Sequence, residues 1–141
     1  MSNPENIFFV DTNIWIYAFT DIKDEAKSDI ARQIISNKRI ALSIQVINEV
    51  SKNLLKTGKF DEREIEEFIE AVYEDYIIVE FSKDILVKAS KLRFRYNFSF
   101  WDSMIVSSAL HLNADVLYSE DMQNNMLVDS NLRIINPFKI L

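Results

Sequence analysis

Four acidic residues, far apart in the chain, are the side chains best suited to bind a metal ion or to catalyse a reaction: Asp11, Glu49, Asp102 and Asp121. Asp11 directly follows the apolar run 7–10, and Asp121 comes three residues after Tyr118. Both therefore stand where a buried strand should end, and parallel sheets bind ligands beyond the carboxyl ends of their strands. An aspartate at a strand end also commonly caps the next turn or helix, so neither position identifies a site alone.

The other two acids fall inside segments with helical periodicity. Asp102 lies on the apolar stripe of residues 101–112, which should face the core, so its carboxylate needs a partner. A capping box with the serine three residues earlier would provide one and leave the second carboxylate oxygen free. Glu49 lies on the flank of an apolar helix face, where pairing with Lys52 or Asn53 would make it an ordinary surface acid.

Convergence of these four carboxylates would require a cation. Their mutual repulsion would otherwise raise their pKa values and destabilise the fold. The chain has no cysteine and a single histidine, His111, which excludes disulfides, thiolate sites and multi-histidine metal centres. An all-oxygen ligand set favours Mg²⁺ or Mn²⁺, ions that activate water for attack on a phosphodiester and stabilise the charge that develops on phosphorus.

The apolar patterning predicts a single α/β domain over residues 1–141. Short apolar runs predict strands, a period of 3.6 residues predicts helices, and the two alternate along the chain. The predicted strands are 7–10, 39–43, 76–79, 116–118 and 132–135, and the predicted helices are 14–19, 24–36, 44–55, 61–73, 82–92 and 101–112. This order favours a three-layer α/β/α sandwich with a mostly parallel central sheet of four to five strands. The predicted N-caps are Asn13, Ser43, Asp61 and Ser82.

The net charge of −6 is unevenly distributed along the chain. Residues 61–80 contain nine acids and one base, so this segment carries −8 and the remainder of the chain +2. A surface that binds nucleic acid is therefore compatible with the overall charge. No apolar run approaches the roughly 18 to 20 residues of a membrane span, and the N-terminus lacks the pattern of a signal peptide. We expect a soluble, cytoplasmic protein with no membrane partner.

Each of the four acids lies in a short motif, and the motifs occur in a fixed order. They are Phe9-Val10-Asp11-Thr12-Asn13, Ile47-Asn48-Glu49-Val50, Phe98-Ser99-Phe100-Trp101-Asp102-Ser103 and Ser119-Glu120-Asp121. In this combination the chain resembles the PIN domain, and more narrowly the VapC-type toxins of type II toxin–antitoxin systems. The resemblance implies a PIN-like fold, a Mg²⁺- or Mn²⁺-dependent endoribonuclease, a homodimer, and a cognate antitoxin whose C-terminal segment covers or enters the acidic pocket.

The resemblance also implies roles for individual residues. The metal ligands and catalytic acids correspond to Asp11, Glu49, Asp102 and Asp121, of which the last completes the pocket or holds a second metal ion. Neighbouring side chains expected to orient these carboxylates are Thr12, Asn13, Ser103 and Ser119. Glu120 adjoins Asp121 and is the alternative fourth acid, with Asp121 preferred. Residues Asn124-Asn125 stand where many relatives have His-Gly.

Two groups of residues near the acids are candidate RNA contacts under this resemblance. Basic residues that follow Glu49 or precede Asp102 are candidate phosphate contacts, although a solvated helix face has the same pattern: Lys52, Lys56, Arg93 and Arg95. The aromatic-rich segment 96–101 either stacks nucleotide bases or packs in front of the following helix.

Two other doubly wound folds with acids at strand ends are disfavoured. A phosphoacceptor receiver domain needs a lysine after a late strand, where this chain has Tyr118-Ser119-Glu120. A haloacid-dehalogenase-like phosphatase needs a second aspartate two residues after Asp11, and Asn13 occupies that position, which removes the general acid. Two alternatives within the PIN family stay open: a nuclease of RNA processing that has no antitoxin, and a non-catalytic PIN-like module that binds RNA or protein.

Overall fold

Helices and strands alternate along the chain in the computed structural model, which describes residues 5–20 and 24–139. The strands are β1 (Ile7–Val10), β2 (Arg39–Ser43), β3 (Ile77–Val79), β4 (Val116–Tyr118), β5 (Leu127–Val128) and β6 (Leu132–Ile135). The helices are α1 (Thr12–Phe19), α2 (Glu25–Asn37), α3 (Ile44–Lys56), α4 (Glu62–Asp75), α5 (Lys83–Tyr96) and α6 (Phe100–His111). The single-domain prediction also covered residues 1–4, 21–23 and 140–141, which lie outside the described residues.

One central sheet joins all the described strands, in the order β3-β2-β1-β4-β6-β5. The pairings between β1, β2, β3, β4 and β6 are parallel, and only the short β5 runs antiparallel, against β6. The predicted α/β class and mostly parallel sheet are confirmed, and all five predicted strands are present. The sixth strand, β5, was not predicted because two residues are too short for a periodic pattern.

Strand β1 lies at the centre of the core. Phe9 and Val10 are fully buried although their side chains point to opposite faces of the sheet, so both faces of β1 are covered. Helices supply the cover because a parallel strand is followed by a crossover connection that returns the chain across a face of the sheet. Among the described residues, no helix is both long enough and apolar enough to cross a membrane.

Helix starts follow the predicted capping chemistry with one exception. The side chains of Ser43 and Ser82 cap α3 and α5, and Asp61 with Glu64 forms a complete capping box at α4. The prediction that Asn13 caps the first helix is wrong: α1 begins at Thr12, and the Asp11 carboxylate accepts a hydrogen bond from the Thr12 amide. Aspartate and asparagine are equally good caps, so sequence alone could not choose between them.

An ion-pair cluster fastens the loop between β5 and β6 to helix α5. The Asp129 carboxylate accepts hydrogen bonds from the Lys88 ammonium and the Tyr96 hydroxyl, and Arg95 lies 3.5 Å away. The Lys88 hydrogen bond is the main reason why the pKa of Asp129 falls below its usual value. These contacts hold the loop that follows β5, the strand at one edge of the sheet.

We expect Asp129→Ala to lower the free energy of unfolding at pH 7 by about 1.5–3 kcal/mol, because hydrogen bonds to a charged group are lost. A lowered folded-state pKa stabilises the fold above the unfolded pKa of about 4, and this stabilisation is lost as the pH falls through the folded value. Urea denaturation should therefore separate wild type from variant at pH 7 and narrow the difference in acid. A difference that does not depend on pH should persist, because Asp129 has a φ of 50°, which alanine adopts less readily than aspartate. Glu70→Gln, which alters an exposed acid on α4, is the control. Equal stabilities of Asp129→Ala and wild type at pH 7 would refute this assignment.

Candidate active site

Asp11 stands at the carboxyl end of the central strand, and its position is fixed by two hydrogen bonds. Its Oδ1 accepts from the Thr12 amide at 2.7 Å, and its Oδ2 accepts from the Ser119 hydroxyl at 2.8 Å. The Asp11 amide donates to the Tyr118 carbonyl, which extends the pairing of β1 and β4 past the strand ends. Asp11 is only 6% exposed, so the fold buries a carboxylate at the end of two neighbouring strands.

Helix α3 brings Glu49 to the same place. Its Oε2 accepts a hydrogen bond from the Thr12 hydroxyl at 2.7 Å, and its Oε1 accepts from the Gln45 amide at 3.0 Å. The Asn53 amide bonds the backbone carbonyl of Glu49 and leaves the carboxylate alone. Pairing with Asn53 therefore does not make Glu49 an ordinary surface acid, and Thr12 links Glu49 directly to Asp11.

Asp121 joins this network from the loop after β4. Its carboxylate accepts a hydrogen bond from the Asn13 side chain at 2.8 Å. Its amide lies 3.3 Å from the Ser119 hydroxyl, the group that also donates to Asp11. Asp121 is exposed at the rim of the site, whereas Asp11 forms its buried floor. The side chains of Thr12, Asn13 and Ser119 thus each donate to one of the acids.

Asp102 is the acid that has no hydrogen-bond partner for its carboxylate among the described residues. It lies in the first turn of α6, where its amide donates to the Ser99 hydroxyl at 3.2 Å. The carboxylate makes no return bond to Ser99, so only half of the expected capping box forms. Its charge contributes to the raised pKa of both Asp11 and Asp121. The Gln45 amide nitrogen connects Glu49 with the Trp101 carbonyl in the same turn of α6.

Ser103 differs from the other residues expected to orient the acids. Its hydroxyl donates to the Phe100 carbonyl and accepts from the Arg93 guanidinium at 2.7 Å. It therefore holds Arg93 against the start of α6 and makes no hydrogen bond to a carboxylate among the described residues.

The electrostatics of the site disfavour ionised acids when no cation is present. The pKa of Asp11 is raised to about 6, mainly by burial and to a smaller extent by the charges of Asp102 and Asp121, against the lowering effect of its hydrogen bonds from Thr12 and Ser119. The pKa of Asp121 is raised by partial desolvation and by the charges of Glu120 and Asp102. A bound cation would relieve both the burial cost and the repulsion.

The donor set fits a hard divalent cation. Every acid offers carboxylate oxygens, and each oxygen of Asp11 accepts one hydrogen bond, which leaves a lone pair free. Within residues 5–20 and 24–139, no group of three or more histidine, aspartate or glutamate side chains is arranged so that it could hold a metal ion. Mg²⁺ does not need such a group, because it keeps several waters and is usually held by one or two carboxylates. The residues fit Mg²⁺ or Mn²⁺ and lack the nitrogen and sulfur ligands that zinc prefers.

Glu120 is engaged away from the network of the other acids. It accepts a hydrogen bond from the Tyr17 hydroxyl at 2.9 Å and forms an ion pair with Lys27. The Lys27 ammonium also lies over the rings of Tyr17 and Phe138. These contacts tie helices α1 and α2 to the loop after β4, and they leave Asp121 as the acid that faces the site.

The Asn124-Asn125 pair forms the turn that leads from this loop into β5. Asn125 has a φ of 68°, a left-handed conformation that suits glycine and that asparagine tolerates. The Asn124 side chain accepts from the Asn136 amide at 2.8 Å. Asn125 thus adopts a backbone conformation that a glycine at this position would also allow.

Gln45 is a residue of the site that the sequence interpretation missed. It is 7% exposed, and its amide nitrogen reaches both Glu49 and, at 3.5 Å, the backbone carbonyl of Trp101. Its Oε1 is buried without a hydrogen-bond partner among the described residues. The spacing of four residues between Gln45 and Glu49 on one helix was the available signal.

The candidate RNA contacts differ in their position and in their exposure to solvent. Lys56 lines a groove of about 340 Å³ between α1 and α3 that begins at Asn13, and Lys52 is exposed on α3. Arg95 lies 3.5 Å from Asp129, which is not one of the four acids of the site. In the aromatic-rich segment, Tyr96 and Phe98 pack against the core, whereas the rings that precede Asp102 are more than half exposed: Phe100 and Trp101.

The fold is similar to those of solved toxin–antitoxin structures. A toxin–antitoxin complex from Klebsiella pneumoniae matches with a TM-score of 0.70 at 20% identity, covering 95% of this chain and 98% of that chain. VapC20 of Mycobacterium tuberculosis, described as a sarcin–ricin-loop-cleaving toxin, matches with a TM-score of 0.64 at 18% identity, covering 81% and 89%. VapBC2 from Rickettsia felis, bound to a DNA fragment from its promoter, matches with a TM-score of 0.60 at 22% identity, covering 91% and 96%.

No curated protein matches the chain in a comparison of sequences. The family profile described as the PIN domain matches residues 8–125, most of the 141-residue chain, and this range contains all four acids. The profile match and the structural similarity confirm the resemblance seen in the motifs: the chain belongs to the PIN domain family.

Proposed function

We infer that this protein is a Mg²⁺- or Mn²⁺-dependent endoribonuclease and the toxin of a VapBC-type toxin–antitoxin pair. The observation that supports this most strongly is a buried aspartate at the end of the central strand, linked to Glu49 and Asp121 through Thr12 and Ser119 and under the charge of Asp102. Burying a carboxylate beside other acids costs stability, and such arrangements are concentrated at functional sites. The similarity to VapC20, which is described as a toxin that cleaves the sarcin–ricin loop, supports RNA as the substrate.

In this proposal the four acids hold the cation together with its waters, with one or two of the acids as direct ligands: Asp11, Glu49, Asp102 and Asp121. A bound Mg²⁺ or Mn²⁺ supplies Lewis acidity towards the phosphate oxygens and lowers the pKa of water. The chain contributes the orientation of the acids: Thr12, Asn13 and Ser119 fix three carboxylates by hydrogen bonds, so that little rearrangement is needed when substrate arrives. Asp102, free of hydrogen bonds from described residues, keeps both oxygens available.

The antitoxin partner is also part of the proposal. The groove from Asn13 to Lys56 opens beside the acids and is lined by apolar and polar side chains of α1 and α3, as suits an inserted peptide segment. Solved neighbours that are toxin–antitoxin complexes support such a partner. We further propose a homodimer that acts in the cytoplasm. A nuclease of RNA processing without an antitoxin is the second candidate, and a short open reading frame directly upstream of the gene would exclude it.

A matched pair of variants tests the assignment of the fourth acid. Asp121→Asn should reduce RNA cleavage at least about tenfold, because a carboxylate facing the cation is lost. Glu120→Gln should stay within about threefold of wild type, because Glu120 is bound to Tyr17 and Lys27. Initial rates on one labelled RNA with Mg²⁺ measure both. The assignment fails if Glu120→Gln is the more damaging change.

A further inference from the structure

Two aromatic rings and a guanidinium group form an exposed surface directly beside the acids, which we call the ring platform: Phe100, Trp101 and Arg93. The two rings meet edge to face, with centroids 5.1 Å apart and an interplanar angle of 79°. Arg93 covers the Phe100 ring at 4.5 Å from its centroid. Phe100 is 54% exposed and Trp101 58% exposed, whereas the other tryptophan of the chain, Trp15, is fully buried.

The backbone of the ring platform contacts a residue of the acid site. Trp101 immediately precedes Asp102 in the first turn of α6. The Gln45 amide nitrogen lies 3.5 Å from the Trp101 carbonyl and 3.0 Å from Glu49 Oε1, so one side chain spans the platform and an acid. The backbone at Trp101 therefore borders the acid site, next to Glu49 and Asp102.

Arg93 gives the platform its charge. Its guanidinium donates to the Ser103 hydroxyl at 2.7 Å and lies on the Phe100 ring. Neither partner is an acid, and Arg93 forms no ion pair with any residue in the described parts of the chain. An unpaired cation can bind the phosphate of a nucleotide, and the exposed rings beside it can stack on the base.

We propose that the ring platform binds an unpaired nucleobase of the RNA next to the phosphate at the acid site. This subsite rests on the proposed function. Trp101 and the face of Phe100 that Arg93 leaves uncovered supply π-faces for stacking, and Arg93 faces the adjoining phosphate. Because every base has a π-face, the platform accepts any base, and it discriminates against duplex RNA, whose bases are already stacked on each other.

A protein partner fits these observations less well than a nucleotide. Stable protein interfaces bury about 800 Å² on each partner, more than the two rings provide by themselves. A larger interface would have to include the exposed Phe94 of α5. The rings are also bordered by Asp102 and by the unpaired Arg93, a mixture of charges that suits a metal-bridged phosphate backbone better than an apolar protein surface.

Trp101 provides its own probe, because the only other tryptophan is fully buried. We would titrate the full-length protein with a single-stranded oligoribonucleotide and with the same sequence in a duplex, in EDTA to prevent cleavage, and follow tryptophan emission and the anisotropy of labelled RNA. The proposal predicts quenching by the single strand that is lost in Trp101→Phe, where only Trp15 remains. Quenching of equal size in Trp101→Phe would overturn it.

Substitutions that remove an exposed ring test whether RNA binding depends on stacking by Trp101. Trp101→Leu should weaken single-strand binding by about 5- to 150-fold, the range found for removal of one stacking side chain. Trp101→Phe keeps a ring and should lose less. Tyr73→Leu, which removes an exposed ring from the acidic helix α4, should change binding less than twofold. The expected kinetic counterpart with Mg²⁺ is a raised KM with a nearly unchanged kcat.

Other results would refute the subsite in distinguishable ways. Unchanged binding and KM in Trp101→Leu, with Mg²⁺-dependent cleavage intact, would overturn the subsite and leave the nuclease standing. A dimer that becomes a monomer in Trp101→Leu, with unchanged RNA binding per protomer, would assign the rings to a contact between copies of the chain. Ring-dependent binding without any cleavage in Mg²⁺ would support the subsite while contradicting the proposed nuclease.

Discussion

Asp102→Asn should abolish RNA cleavage while leaving the fold intact. The variant keeps the shape of the side chain and the hydrogen bond from the Asp102 amide to Ser99, but it removes a carboxylate that has no other partner among the described residues. Loss of several kcal/mol of cation-dependent stabilisation corresponds to a fall in kcat of roughly 10³-fold. Initial rates with Mg²⁺ and a circular dichroism spectrum give the two readouts.

The matched control for this variant is Asp84→Asn. Asp84 is also an aspartate in the first turn of a helix, α5, but it is exposed and makes no contact with the four acids. Both variants lose the same favourable interaction with a helix N-terminus, which is worth less than about 1 kcal/mol at a surface. Only Asp102→Asn should lose activity, and cleavage by Asp102→Asn within threefold of wild type would contradict the role assigned to it.

Asp11→Asn should have the opposite effect on stability from most core substitutions: the metal-free protein should become more stable. Burial raises the pKa of Asp11 to about 6, so ionised Asp11 opposes folding above that pH. A shift of about two units from the ordinary value corresponds to an upper bound of about 3 kcal/mol, and we expect a gain of about 1–3 kcal/mol at pH 8 in EDTA. The asparagine can keep the hydrogen bonds with Thr12 and Ser119.

The pH dependence of this gain follows from the sign of the shift. A carboxyl group whose folded pKa is raised binds more protons in the folded state, so its effect on stability becomes less favourable as pH rises from about 4 to about 6. The gain of Asp11→Asn should therefore shrink by roughly half between pH 8 and pH 5. Urea denaturation at both values measures it. A variant that is destabilised at pH 8 in EDTA would show that Asp11 is a structural cap and no more.

Mg²⁺ should reverse the order of stabilities. Added ion stabilises whichever form binds it, by an amount that grows with its concentration above Kd. The Tm of wild type should rise with Mg²⁺ or Mn²⁺, and that of Asp11→Asn should stay nearly constant, although it starts higher. This comparison detects the cation without reference to cleavage. A parallel rise in both proteins would show that the ion binds elsewhere.

The elements of the fold could be predicted from sequence because their signals are local. The run from Ile7 to Val10 and the pairing of Asp61 with Glu64 each lie within a few residues, and both are confirmed. Strand β5 escaped prediction because it exists only through its pairing with β6. The choice of Asp11 over Asn13 as the cap of α1 likewise depends on contacts across the molecule, since Ser119 and Asp121 hold the two side chains in place.

The sequence indicated which residue types form the candidate site, but it did not indicate which of these residues contact each other. The Thr12 hydroxyl meets Glu49 across 37 positions of sequence, and no periodicity reports such a contact. The aromatic-rich segment was ambiguous for the same reason: Tyr96 and Phe98 pack against the core while Phe100 and Trp101 face solvent. Only the folded chain separates rings that pack from rings that are available.

The most direct test of the central claim is RNA cleavage by the purified protein with Mg²⁺ or Mn²⁺, after EDTA, and after Mg²⁺ is restored. Structured and unstructured RNAs should be offered in parallel, with Asp102→Asn as the inactive reference. The proposal predicts cleavage that EDTA abolishes, that restored Mg²⁺ recovers, and that Asp102→Asn lacks. Absence of cleavage on every substrate, together with no binding of either ion by calorimetry, would contradict it and favour a PIN domain that binds without cutting.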